Sequence, residues 1–118
     1  MLRTALIAKI HRATVTETKL DYSGSLTIDM DLLDKAGIKP FEKIEVYNMS
    51  NGARFSTYAI KGERDSGIIG VNGAAARLAY PGDQIIIAVY GMMNEEELDR
   101  NKPKILIMNR ENKVEKII

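Results

Sequence analysis

Gly24-Ser25-Leu26-Thr27-Ile28-Asp29-Met30-Asp31-Leu32-Leu33-Asp34-Lys35-Ala36-Gly37-Ile38-Lys39-Pro40-Phe41-Glu42-Lys43-Ile44-Glu45-Val46 reads as strand, capped helix, turn and strand. Residues 25–28 form the first strand. Asp29 can accept a hydrogen bond from a free N–H of the following turn. Met30, Leu32, Leu33 and Ala36 give the helix its apolar faces, and Gly37 suits the left-handed position that ends it. A related pattern returns at Ala79-Tyr80-Pro81-Gly82-Asp83-Gln84-Ile85-Ile86-Ile87, after a short helical turn that starts at Asn72 and runs through Ala74-Ala75-Ala76-Arg77. Both segments run from a short helix through Pro-x-acid-x-Ile into a strand. A half-domain duplication, with two similar units closing into one barrel, accounts for this. So does the general frequency of Pro-Gly-Asp turns before strands.

Working outward, the stretches 3–16, 43–48, 54–61, 68–71, 84–91 and 104–108 are rich in Ile, Val, Thr and Tyr and bounded by turn residues. They read as strands. Glu95-Glu96-Glu97-Leu98 suggests a third short helix with a solvated face. No linker interrupts residues 1–118, so the expectation is one mainly β domain.

Composition narrows the function. At 118 residues, 45% hydrophobic and 28% charged, the chain can bury a core and is not of disordered type. No apolar run approaches the roughly 20 residues of a membrane span, and Met1 to Lys9 holds no export signal. With no cysteine, the expected compartment is the cytoplasm. A net charge of +1 without a basic stripe argues against nucleic acid as a partner. One histidine and no cysteine exclude the common zinc sites. Neither a phosphate-binding loop nor a dinucleotide-binding turn is present.

Four blocks carry a closer likeness. They are Lys9-Ile10-His11-Arg12, Asp21-Tyr22-Ser23-Gly24-Ser25-Leu26-Thr27-Ile28-Asp29, Asn51-Gly52-Ala53-Arg54-Phe55-Ser56-Thr57-Tyr58-Ala59-Ile60 and Val71-Asn72-Gly73-Ala74-Ala75-Ala76. In this order and spacing the chain resembles the pyruvoyl-dependent aspartate 1-decarboxylases over almost its whole length, with the part after about Asn94 weakly constrained. A Gly-Ser pair by itself is usually a turn. The resemblance implies that backbone cleavage between Gly24 and Ser25 gives pieces 1–24 (β chain) and 25–118 (α chain), with Ser25 becoming a covalent pyruvoyl group. The group's ketone would form a Schiff base with L-aspartate and accept the electrons left by departing CO2, without pyridoxal phosphate or metal.

The site follows residue by residue. A dicarboxylate substrate calls for cations. Arg54 matches the family's substrate-binding arginine, a guanidinium suited to holding a carboxylate by two parallel bonds, and Lys9 matches a second basic position. Either one alone would read as a surface charge. Tyr58 matches the proton donor, though elsewhere it would read as a half-buried strand tyrosine. Thr57 matches the residue that assists cleavage near the scissile carbonyl. Asn72, Gly73, Ala74 and Ala75 match the loop and helix start beside the pyruvoyl group, where backbone N–H groups could bind an oxyanion or carboxylate. His11 and Tyr22 are given supporting roles. The resemblance also implies a double-psi six-stranded β-barrel with small capping helices, assembled as a homotetramer with sites between subunits. A separate maturation protein is a possible partner.

Strand alternation raises a difficulty, because it puts Arg54 and Tyr58 on one face and Thr57 on the other. A bend near Thr57, or a site shared between subunits, would resolve it. Alternation also puts Lys9 and His11 on a common face. Two rival readings stand beside the main one. Gly24 to Val46 is similar to the swapped-hairpin regulators that bind DNA, but that likeness covers less than half of the chain and leaves Arg54 to Ala76 unused. A pyruvoyl enzyme for histidine or arginine is the other rival, and Lys9 with Arg54 favours an anionic substrate over it.

Overall fold

The computed structural model describes all 118 residues. Its strands are β1 (Arg3–Thr14), β2 (Glu17–Lys19), β3 (Leu26–Asp29), β4 (Lys43–Asn48), β5 (Arg54–Gly62), β6 (Ile69–Asn72), β7 (Gln84–Met93), β8 (Lys104–Met108) and β9 (Val114–Ile117). Two helices, α1 (Met30–Ala36) and α2 (Glu95–Arg100), and a 3-10 helix over Gly73–Arg77 complete it. The chain is mainly β, as its sequence implies. No helix is long and apolar enough to cross a membrane.

All nine strands belong to one sheet in the order β2-β6-β3-β5-β4-β7-β1-β8-β9, and this ladder is open. The stretch expected as a single strand over 3–16 ends at Thr14 and resumes at Glu17 as β2. At the break Thr16 is held to Ile69 by backbone and side chain together: its N–H donates to Ile69 O (2.9 Å), and its hydroxyl accepts from Ile69 N (2.9 Å) and donates to Ile69 O (3.1 Å). The interruption lets one continuous stretch of chain flank β7 through β1 and β6 through β2.

Helix α1 forms as its sequence requires. Asp29 Oδ1 accepts from Asp31 N (2.9 Å), and Gly37 closes the helix at φ +74° with its N–H on Asp34 and Leu33. Leu32, Leu33 and Ala36 turn inward. They join Ile10, Leu26, Ile28, Ile44, Val46, Ile69, Val71, Ile85, Ile87 and Leu106 in one core. Burying each Leu or Ile side chain contributes about 1.5–3 kcal/mol before chain entropy is offset.

The two similar sequence segments fold alike. Phe41 and Gly82 both take positive φ, +73° and +94°. Phe41 N donates to Ala59 O (2.7 Å) and Gly82 N to Val15 O (2.8 Å), while Ala59 N and Val15 N return bonds to Glu42 O and Asp83 O. Glu42 accepts from Lys39 N and Asp83 from Tyr80 N. The strands that follow, β4 and β7, lie side by side, with Glu45 opposite Ala88 and their counterparts Ile86 and Tyr47 opposite each other. A common turn motif does not extend this far. The two segments thus share a local fold, in β1-β3-α1-β4 and in β5-β6-(3-10)-β7, while the open ladder does not show the closed barrel that the duplication reading includes.

The segment after Asn94 is more than an appendage. The acidic run does form a helix, closed by a capping box between Asn94 and Glu97. Beyond it β8 pairs parallel to β1 and brings Leu106 and Met108 into the core, and β9 is a strand that the sequence reading does not contain. Asn112 is buried, accepting from Thr14 N (2.7 Å) and donating to Thr14 O (2.8 Å) and Gly67 O (2.7 Å). Asn112→Ala leaves these backbone groups without partners and is expected to lower stability by about 2–4 kcal/mol in urea titration. An unchanged midpoint would contradict this account of the C-terminal brace.

Candidate active site

Ser25 lies immediately before β3 and is 3% exposed. The backbone reaches it through two successive positive φ angles, +92° at Gly24 and +84° at Ser25. Glycine takes such an angle freely, whereas serine is strained by it. Gly73, at φ +68°, presses on this step. A Cβ there would fall 2.7 Å from Gly24 Cα, 2.8 Å from Gly24 N and 3.1 Å from Tyr22 O, so nothing larger than glycine fits.

Asn72 holds Ser25 from the other side. Its backbone N–H donates to Ser25 O (3.0 Å), and its amide donates to Ser25 Oγ (3.3 Å) and Thr27 Oγ1 (2.9 Å). The turn that follows Asn72 is a 3-10 helix that its side chain does not cap, and the hydroxyls of buried Ser25 and half-buried Thr27 take its donors instead. Ala74 is exposed at the start of that turn and Ala75 half-buried. Tyr22 is exposed, with the Lys19 ammonium 5.6 Å from its ring centre.

β5 runs parallel to β3 with Leu26 beside Ala59, so the preceding residues, Ser25 and Tyr58, enter the pair together. Arg54, Ser56 and Tyr58 face outward while Phe55, Thr57 and Ala59 turn inward. Register with β4 is unbroken from Lys43–Tyr58 to Tyr47–Arg54. The strand runs straight past Thr57, which is half-buried while Arg54 and Tyr58 are exposed, although Thr57 and Tyr58 both border the groove at the foot of β5. The Ser25 hydroxyl is met by Asn72, not by Thr57 or Tyr58.

Lys9 and His11 do share a face. A row of opposed residues runs Arg54–Tyr47–Ile86–His11 across β5, β4, β7 and β1, and the next runs Ser56–Glu45–Ala88–Lys9. Three strand spacings separate β1 from β5, roughly 14 Å. The Arg54 guanidinium carbon lies over the Tyr47 ring, 3.8 Å from its centre. The ion pairs of the chain involve neither Arg54 nor Lys9.

An open groove of about 500 Å³ lies at the foot of β5, lined by Phe41, Lys43, Ser56, Thr57 and Tyr58. Phe41, 77% exposed, stacks on Tyr58 with ring centres 6.4 Å apart. Sequence reasoning passes over Phe41 and Tyr47. Phe41 occupies the turn position that glycine fills in the other half, a comparison that would have exposed it. Tyr47 needs the β4–β5 register, which the sequence does not supply.

His11 Nδ1 is buried without a partner. Burial, then the charges of Lys9 and Arg12, hold its pKa below the ordinary 6.5. The folded state thus prefers neutral His11. Its contribution to stability is present above the unfolded value and lost as pH falls through the folded one. Between about pH 7 and about pH 5, His11→Gln is expected to flatten the fall of the urea midpoint. Equal slopes for both proteins would contradict the assignment.

The sequence model of the aspartate decarboxylase family matches residues 1–115, and the chain belongs to that family. It is 53% identical over 118 residues to the aspartate 1-decarboxylase of Bacillus pumilus, covering 100% of this chain and 93% of that one. The aspartate 1-decarboxylase of Cupriavidus necator is 56% identical over 117 residues, 99% of this chain and 98% of the relative. That of Bacillus cereus is 53% identical over 114 residues, 97% and 90% respectively.

Proposed function

We propose that this chain decarboxylates L-aspartate to β-alanine, feeding pantothenate and coenzyme A synthesis, with a pyruvoyl group made from its own Ser25. It is synthesised as a zymogen and cleaves between Gly24 and Ser25 into 1–24 and 25–118. The observation that carries this reading is the Gly24-Ser25 step, twisted through two positive φ angles and clamped by Gly73 and Asn72. A serine at positive φ stores about 1–3 kcal/mol, which chain cleavage releases.

In this cleavage Ser25 Oγ attacks the Gly24 carbonyl carbon. The C–N bond breaks, giving an ester and freeing the Ser25 amino group. Loss of the Ser25 Cα proton then expels the Gly24 carboxylate from Cβ. Water replaces nitrogen in the resulting enamine, ammonia departs, and residue 25 is left as pyruvoyl. The glycine-lined, closely packed setting fits this group, since Ser25 is buried and the Asn72 amide remains to hold an oxygen at its position. When formed, the group supplies a ketone that condenses with an amine and withdraws the electrons left by departing CO2.

The chain's own residues bind and protonate. Arg54, free of any carboxylate partner, receives one carboxylate of aspartate, and Lys9 adds positive charge. Tyr58, entering beside residue 25, donates the proton that replaces CO2. Thr57 and Asn72 assist cleavage through the scissile carbonyl and the Ser25 hydroxyl. Gly73, Ala74 and Ala75 offer backbone N–H groups to substrate, and His11 and Tyr22 support the site. Sites assembled between subunits of a homotetramer would accommodate the alternation of Thr57 with Arg54 and Tyr58 along β5. We read β1 and β2 as one interrupted strand, which makes the two halves a double-psi six-stranded barrel. A cytoplasmic setting and a maturation partner complete the proposal; no nucleic acid or membrane is required.

Ser25→Ala is expected to remain one chain of native fold that makes no β-alanine. Tyr58→Phe is expected to cleave normally and lose about 10²–10⁴-fold in turnover. Chromatographic assay of β-alanine from aspartate, with arginine and glutamate in parallel, reads both. Turnover by the Ser25→Ala variant would overturn the mechanism, and equal turnover of arginine would overturn the substrate assignment.

A further inference from the structure

The setting of Arg54 carries a second step, which rests on the reading of Arg54 as a substrate-binding group. Arg54 and Tyr47 are directly opposed on β5 and β4. The guanidinium carbon lies over the ring, 3.8 Å from its centre, and none of its N–H groups is hydrogen-bonded within the chain. Glu45, the acid beside Tyr47 on the same outward face, is occupied by Ser56 Oγ at 2.6 Å and Lys43 at 3.9 Å. Nothing in the chain therefore claims the Arg54 donors. The ring beneath them is fixed in turn. The Tyr47 hydroxyl lies 3.0 Å from that of Tyr90 on β7, a residue 42% exposed.

We infer that Tyr47, braced by the Tyr90 hydroxyl, is a positioning residue that presents the edge of Arg54 to a substrate carboxylate. A long side chain at an exposed strand position otherwise samples many rotamers, and binding has to freeze them. The platform does this beforehand. Its effect therefore appears as affinity for aspartate and leaves the chemical step at residue 25 alone. Phenylalanine at position 90 removes only the brace, and leucine at position 47 removes the platform.

Two measurements on the cleaved protein test this. The first is side-chain NMR of Arg54, identified by its loss in Arg54→Lys. Wild type should show ring-current-shifted Arg54 protons and a restrained guanidinium. Tyr47→Leu should lose the shift, and Tyr90→Phe should keep part of it with greater mobility. The second is steady-state kinetics with aspartate. Tyr90→Phe is expected to raise KM about 3–10-fold and Tyr47→Leu about 10-fold or more, with kcat within about twofold, melting temperature unchanged and normal chain cleavage. In the Arg54→Lys background neither change should add to the rise in KM. Unshifted Arg54 protons in wild type would overturn the platform itself. If Arg54→Lys raises KM while Tyr90→Phe and Tyr47→Leu do not, the positioning role fails and Arg54 keeps its assignment. If Arg54→Lys leaves KM unchanged, the substrate-binding reading fails and takes the inference with it, even with the platform visible by NMR.

Discussion

Backbone meets backbone where Gly73 lies against Gly24, and this contact sets the geometry of the site. A side chain at position 73 would enter the Gly24 backbone. Removing it lets β6 and the loop before β3 close to within backbone contact, which brings Asn72 over Ser25. From there the parallel pairing of β3 with β5 puts Tyr58 beside the same step. Neighbouring strands then order the cations by register.

The hydrogen bonding at the Gly24-Ser25 step has a counterpart elsewhere in the sheet. Asn72 N bonds Ser25 O at 3.0 Å, and in the other half Asp29 N bonds Ile68 O at 3.0 Å. Gly24 and Gly67 precede the paired carbonyls, both at positive φ. One scaffold thus occurs twice. In one copy Asp29 secures the loop, accepting from Asp65 N and Gly67 N, and the residue after the glycine is an isoleucine without a nucleophile. In the other copy that residue is a serine, and Asn72 is neutral and can donate. The two copies of the joint differ at these two positions.

Much of this was legible in the sequence where the determinants are local. Asp29 and Gly37 mark α1 because capping and left-handed φ are properties of single residues. The strands with alternating burial were found for the same reason. The break at Thr16 was not, since it depends on a hydroxyl meeting Ile69 across the sheet. Strand β9 escaped because Val114–Ile117 is mostly exposed and lacks an apolar pattern. At the site, the Gly24-Ser25 step was read from likeness. Its clamp and the Arg54–Tyr47 stack required register, which no short window contains. Alternation along β5 follows the sequence pattern, with Arg54 and Tyr58 exposed and Thr57 half-buried.

The central claim is that the Gly24–Ser25 bond breaks and leaves a ketone. Denaturing intact-mass analysis of purified protein, before and after prolonged warm incubation, tests it most directly. The account predicts two fragments, 1–24 and 25–118, the larger with a ketone-terminated mass that shifts on hydrazine treatment. A single unbroken chain that persists through incubation, both alone and in lysate supplying any maturation partner, would contradict it.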